Sequence, residues 1–460
     1  MSSRAFVGAL NRTLTVLAAF AVCAAVPATV VGGNYRLGSV GGVVIRNDGV
    51  VRNATIDQQA ALAKMRREDY KEPGDEMERA VELRKISLTA LESACRDALT
   101  ANNGELPDEI KYLGGLQRVQ YVFVYPEQND IVLAGPAEAW TIDEAGNVVG
   151  ETTGRPVLQL DDLLVALRTV GNARRGALSC SINPTAQGMQ QLNKLLNRQR
   201  RSGVTSQNRS RLERAMKQAF GPQQVSLQGV PVHSHFARVL VAADYRMKRL
   251  AMNLDDAPLR DFPSYVELVK KDPSEARTTN PRWWMACNYE PLSRSEDGLA
   301  WELRGQGVKC LTENDIIAAD GSAEAAGTTS PIAQEWADSM TEKFEQLAAR
   351  EPVFAQLRNV MDWCVVAAMI DEHELTAQAG CHLPVLTGNQ GDLEPEYWFA
   401  PKTVPPECSF LKTRSGWIVT TSGGVQIESF RVATQVETNN TVGQVRSRAG
   451  TPDGQTWWWN

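Results

Sequence analysis

From Pro352 to Ile370 the chain reads PVFAQLRNVMDWCVVAAMI, and wound as a helix this run is apolar on nearly every side. Phe354, Leu357, Met361, Cys364, Val365 and Ala368 recur at helical spacing, while Val353, Val360, Trp363 and Val366 make the other sides apolar too. A helix apolar all round belongs in the middle of a core, enclosed by other elements. Pro352 can open it, because the N–H that proline lacks has no partner at the first helical position. The rest of the fold must therefore supply layers around this segment. With 460 residues the chain is long enough for about two to four domains and a sizeable core.

The remaining pattern predicts an α+β protein with an N-terminal helical segment, a mixed strand/helix middle domain and a second, Trp-rich α+β domain. After a Gly-rich stretch at 32–51, residues 55–101 read as helix, with Asp57 as a cap and Met77, Val81, Leu83, Ile86, Leu88, Leu91 and Ala94 on an apolar face. The charged residues between them, Arg84 and Lys85 included, read as a solvated face. Val119–Tyr125 and Ile131–Ala134 read as strands of a hairpin turned at Pro126–Asp130, and Trp140–Val149 carries a second turn. Asp161 and Asp162 introduce a helix whose dipole favours them. Strands follow at 177–182 and 225–230, with a helix between them and another at 233–252. A boundary is expected near 272–280, since one of eleven Trp lies before it and ten after. The domains expected are thus a leader at 1–28, a Gly-rich and helical region at 29–105, an α+β domain at 106–275 and the Trp-rich domain at 278–460. No internal repeat is visible.

The leader has the form of a secretory signal. Arg4 and Arg12 precede the apolar run Thr13–Ala25, and Val26-Pro27-Ala28 offers small residues for cleavage near Ala28. About 13 apolar residues are too few to span a bilayer, which needs roughly 20. An uncleaved anchor is the alternative, and no other stretch reads as a membrane span. Cleavage would take the formal charge from −6 to −8 and the cysteines from eight to seven. An odd number leaves at least one thiol unpaired within a chain. Cys381 and Cys408, in loop-like sequence, are the best disulfide candidates in an oxidising compartment.

No GxGxxG, P-loop, GxSxG, CxxC or zinc-finger spacing occurs. The most distinctive stretch is GPQQVSLQGVP (221–231) followed by SHFARVLVAADYRMKRLAM (234–252). Within it His233, His235 and Asp244 are candidate acid–base groups or metal ligands; against that, Asp244 and Lys248 sit four apart on a helix and can simply pair. Cys180, expected where a strand ends before a helix, is a candidate nucleophile or a small semi-buried thiol. These motifs resemble a family of exported proteins from planctomycete bacteria defined only as a domain of unknown function. The resemblance implies export and brings no activity, cofactor or catalytic residue with it.

Two stretches read as binding surfaces. Residues 194–217 carry eight cations, among them Arg198, Arg200, Arg201, Arg209 and Arg211, against Glu213 alone. Such a segment suits an anionic partner or is a solvated link between two helices. Nucleic acid is disfavoured because no aromatics interleave for base stacking. Trp457, Trp458 and Trp459 either pack back onto the domain or dock to an envelope polysaccharide or envelope protein. Asp371, His373 and Glu374 are weak candidates for a metal, and HEL is not HExxH. No cofactor is implied. With only four His in the chain, the reading is a non-enzymatic binding or scaffolding protein of the cell envelope, the alternative an extracytoplasmic hydrolase using Cys180 or an Asp244/His233/His235 site.

Overall fold

The computed structural model describes residues 39–40, 42–101, 105–202, 209–272, 280–317, 323–388, 393–407, 409–413, 416–420, 422–450 and 456–460. The expected leader lies outside them, and so does Cys408, and with it the pairing to Cys381. Everything described belongs to one compact unit.

The helix read as the centre of the core spans Pro352–Glu372, and all its residues from Val353 to Ile370 are buried. Five helices enclose it: Leu160–Arg175, His235–Ala251, Phe344–Arg350, Leu375–Ala379 and Ser429–Ala433. Its polar residues each reach an adjoining layer. Asp362 accepts from Arg118 Nε and Nη2 at 2.9 and 3.0 Å and from the Tyr289 hydroxyl at 2.7 Å. Asn359 donates to the Pro156 carbonyl at 3.0 Å. By length and composition this helix could cross a membrane, contrary to the expectation that no stretch beyond the leader could. Its apolar window is wholly buried in the fold, which marks a core helix.

Two seven-stranded mixed sheets frame these helices. One runs in the order Ala323–Ala325, Gly307–Ile317, Asn280–Asn288, Ser422–Ile427, Leu178–Pro184, Gln223–Gln228, Thr403–Val404. It is antiparallel except between Asn280–Asn288 and Ser422–Ile427. We call it the motif sheet. The other, the tail sheet, runs Val436–Thr438, Leu292–Arg294, Ala300–Glu302, Tyr121–Tyr125, Asp130–Ala137, Val81–Ser87, Trp458–Trp459. Both sheets draw strands from either side of 272–280. The boundary expected there therefore falls inside one body, because strand pairing crosses it four times, twice in each sheet. Of the tryptophans gathered after residue 280, Trp283, Trp301, Trp336, Trp363, Trp398 and Trp458 are buried. Trp283 meets Trp336 edge-on at 5.1 Å and Tyr265 at 4.9 Å.

The single helix expected over 55–101 is broken. Thr55 caps Ile56–Asp69 in a capping box with Gln58, Val81–Ser87 is a strand, and Leu88–Ala101 is the second helix. The strand forms because Asp130–Ala137 pairs on one side and Trp458–Trp459 on the other. Arg84 and Lys85 are consequently buried rather than solvated, their charged ends set over Trp458 at 5.0 Å and Trp459 at 5.5 Å. The hairpin Tyr121–Tyr125/Asp130–Ala137 forms as expected, turning through Asn129 in the left-handed region.

Candidate functional site

Between neighbouring strands Leu178–Pro184 and Gln223–Gln228 the chain inserts two helices, Ala186–Ser202 and Arg209–Phe220. They pack on each other through Met189, Leu192, Leu212, Met216 and Phe220, a small cluster separate from the main core. At the base Gly188 meets the carbonyl of Phe220 so closely that a Cβ would lie 2.0 Å from its oxygen. Only glycine permits this approach. Because the apolar residues face inward, Lys194, Arg198, Arg211, Arg214 and Lys217 are left exposed. The side chains of Arg200, Arg201 and Arg209 lie outside the described residues.

The helix that follows, His235–Ala251, is capped by Ser234, whose hydroxyl accepts from Ala237 N at 3.1 Å. It was expected to show one apolar face, yet every residue except Arg246 and Arg249 is buried. Lys248 Nζ donates to Asp244 Oδ2 at 3.0 Å and to the Ile182 carbonyl at 2.6 Å, within the interface of helix and motif sheet. Burial pushes the Asp244 carboxyl up and the Lys248 ammonium down, each against the pull of the other. Cys180 lies within its strand rather than at its end, opposite Leu227 on one side and Val425 on the other. It is buried, and burial, with the Asp244 charge adding to it, holds the thiol well above its usual range. A thiol so placed is protonated and poorly nucleophilic. Asp244 thus serves the helix–sheet interface, in contact with Lys248.

The two candidate histidines serve a segment from the far end of the chain. His235, buried at the first helical position, lies 3.0–3.1 Å through Nδ1 from the Asp162 carboxylate. The Trp398 ring packs on it at 5.3 Å and on Arg238 at 4.8 Å. His233 precedes the cap, not the first turn as expected. Its Nδ1–H donates to the Trp398 carbonyl at 2.9 Å, Trp398 N donates back to the His233 carbonyl at 3.1 Å, and its ring stacks on Tyr397 at 4.4 Å. Asp161 accepts from Glu396 N at 3.1 Å, and Arg168 donates to the carbonyls of Val385, Leu386 and Leu393. Residues 393–400 are thereby fastened across the starts of two helices. The sequence offered Asp161 and Asp162 only as helix-start acids; their partners come from residues 73 and 235 positions away.

The other candidates are likewise held in local contacts. Arg174 pairs with Asp371 at 2.9 Å and Glu372 at 3.0 Å, which supplies the cation that acids at a helix C-terminus need. His373 Nε2–H donates to the Ala433 carbonyl at 2.9 Å, and Glu374 is the left-handed cap of Leu375–Ala379. Asp371, His373 and Glu374 do not converge, and among the described residues no group of His, Cys, Asp and Glu is placed to hold a metal. Trp458 and Trp459 form the edge strand of the tail sheet, and the Trp457 carbonyl accepts from Ser87 N at 2.8 Å. Nothing in the sequence signalled the network at the end of the motif helix. There Arg246 forks onto Glu351 at 2.6 and 3.1 Å, and Arg249 reaches Asp255 and Glu407 at 2.7 Å each.

Among known families, one described as a protein of unknown function (DUF1598) matches residues 180–265. That span takes in the basic hairpin, the strand Gln223–Gln228 and the whole motif helix. No curated protein and no solved structure matches the chain. The matched unit contains one strongly charged exposed element, the basic hairpin, and a helix whose polar residues are spent on internal contacts.

Proposed function

We propose that this is an exported binding or scaffolding protein of the cell envelope, without catalysis of its own, that holds an anionic polymer on the basic hairpin. The observation that carries the reading is the separation of the hairpin's apolar cluster from the main core. With that cluster turned inward, Lys194, Arg198, Arg211, Arg214 and Lys217 are exposed on one local element, within a stretch that carries eight cations and one acid in a chain of net charge −6. A dense positive arm on an acidic body attracts polyanions and repels cationic surfaces. Export rests on the leader-like sequence at 1–28 and on the likeness of 221–252 to exported proteins of planctomycete type.

Binding to long-chain inorganic polyphosphate, titrated between about 50 and 200 mM salt, tests the hairpin. The wild type should bind with a steep inverse salt dependence. The triple variant Lys194→Glu, Arg211→Glu, Arg214→Glu should lose at least about tenfold in affinity, since several phosphate contacts vanish together. Equal binding by both proteins, or none by the wild type at low salt, would remove the hairpin from the reading. Sequencing the N-terminus of the protein isolated from its own cells tests export separately, with a start near residue 29 expected.

A further inference from the structure

A second surface on the molecule has the opposite character. Trp457 and Trp458, their rings 6.3 Å apart and inclined at 63°, form a corner beside a groove of about 250 Å³. Met77, Ile110 and Pro107 complete its apolar walls, and Asp75, Glu76 and Glu109 line it as well. No cationic side chain lines it, and none of the three carboxylates has an ion-pair partner among the described residues. Arg84 lies behind Trp458, its guanidinium 5.0 Å over that indole and its donors taken by the carbonyls of Met77, Gly114 and Arg79 and by Asn460. That internal contact occupies one indole while Trp457 remains half-buried at the groove.

The geometry points to a binding site for a methylated ammonium group. Indole faces attract cations through their quadrupole, by about 0.5–2 kcal/mol each according to how dry the site is. Carboxylates at the rim add long-range attraction for the same charge and repel anions. Apolar walls favour an ammonium that carries methyl groups over a strongly hydrated primary amine, whose water would have to be stripped. A groove of about 250 Å³ has room for a trimethylammonium head with its first methylene, the head that choline and its esters carry.

The test uses the full chain with its tryptophans labelled with nitrogen-15, following the indole N–H signals as choline is added. The Trp457 and Trp458 signals, identified by their loss in Trp457→Phe and Trp458→Phe, should shift with a Kd of about 1 mM. The neutral isostere 3,3-dimethyl-1-butanol should bind at least about tenfold more weakly, since it lacks the charge. Glu109→Gln, on the rim, should weaken choline several-fold while leaving the melting temperature and the other indole signals in place. A trimethyllysine peptide is tested in parallel, and binding at least about tenfold tighter than choline would assign the groove to a protein partner instead. Equal binding of choline and its isostere would reduce the groove to an apolar cleft, and shifts with glucose but not choline would make it a sugar site. Either result, or no shift with choline, overturns the proposal.

Discussion

Replacing Lys248 by Met tests whether the motif helix is a structural core element. Met preserves the length and packing of the side chain but removes the ammonium, leaving Asp244 fully buried without its cation and the Ile182 carbonyl without a donor. Breaking one partner out of a buried pair typically costs about 3–5 kcal/mol, and a lost hydrogen bond about another 1 kcal/mol. Part of that cost is recoverable by protonation. Burial already raises the Asp244 carboxyl above its usual range, and loss of Lys248 raises it further. A raised carboxyl binds its proton in the native state where the unfolded chain does not. The variant should therefore recover stability as pH falls through the folded pKa toward the unfolded value of about 4, and be worst near pH 8. The double variant Asp244→Asn, Lys248→Met has no charge to bury and should recover most of the loss, with little pH dependence. Urea unfolding followed by tryptophan fluorescence measures the midpoints, with unchanged slopes as the control for comparable unfolding. A single variant within about 1 kcal/mol of wild type at pH 8, or a double variant as damaged as the single one, would refute the buried-pair reasoning.

Three further outcomes follow from the same geometry. Burial, with Glu396 beside it, pushes the Asp161 carboxyl up to about 7, so its contribution is largest at low pH and lost as pH rises through 7. Asp161→Asn should then melt higher than wild type at pH 8 and about level with it at pH 4, as scanning calorimetry across that range would show. Gly188→Val drives a side chain into the Phe220 carbonyl at the hairpin base, so limited trypsin digestion should cut within 194–217 faster than in wild type while the remainder survives. In the reduced protein, timed iodoacetamide labelling with mass spectrometry should modify half-buried Cys381, whose thiol is pushed up to about 11, well before Cys180 or Cys364, which should react only in denaturant.

Local chemistry made much of the fold legible. Pro126 and Asn129 turn the hairpin between Tyr121–Tyr125 and Asp130–Ala137 within a handful of residues, and Ser234 caps the motif helix from the adjacent position. The strand Val81–Ser87 has no local signature because its partners stand about 50 and 370 positions away. Without them its residues fit a helical stripe as well as a strand. The burial of Arg84 and Lys85 has no local signature for the same reason: long charged side chains lie in a core only where distant indoles and carbonyls receive them. The candidate residues behaved alike. Spacing alone identified Asp244 and Lys248 as a pair, whereas no spacing rule links His233 to Trp398 or His235 to Asp162.

By itself the sequence determined that Pro352–Glu372 would be enclosed, since a helix apolar on nearly every side has no stable exposure to water, and that the cations of 194–217 would be concentrated in one stretch. Only the tertiary structure decided what surrounds that helix and which chemistry-bearing residues remain at the surface. Strand pairing and side-chain contacts between distant positions carry no local signature. They used up Cys180, Asp244 and His235 inside the body, and they left the hairpin cations and the Trp457 corner facing outward.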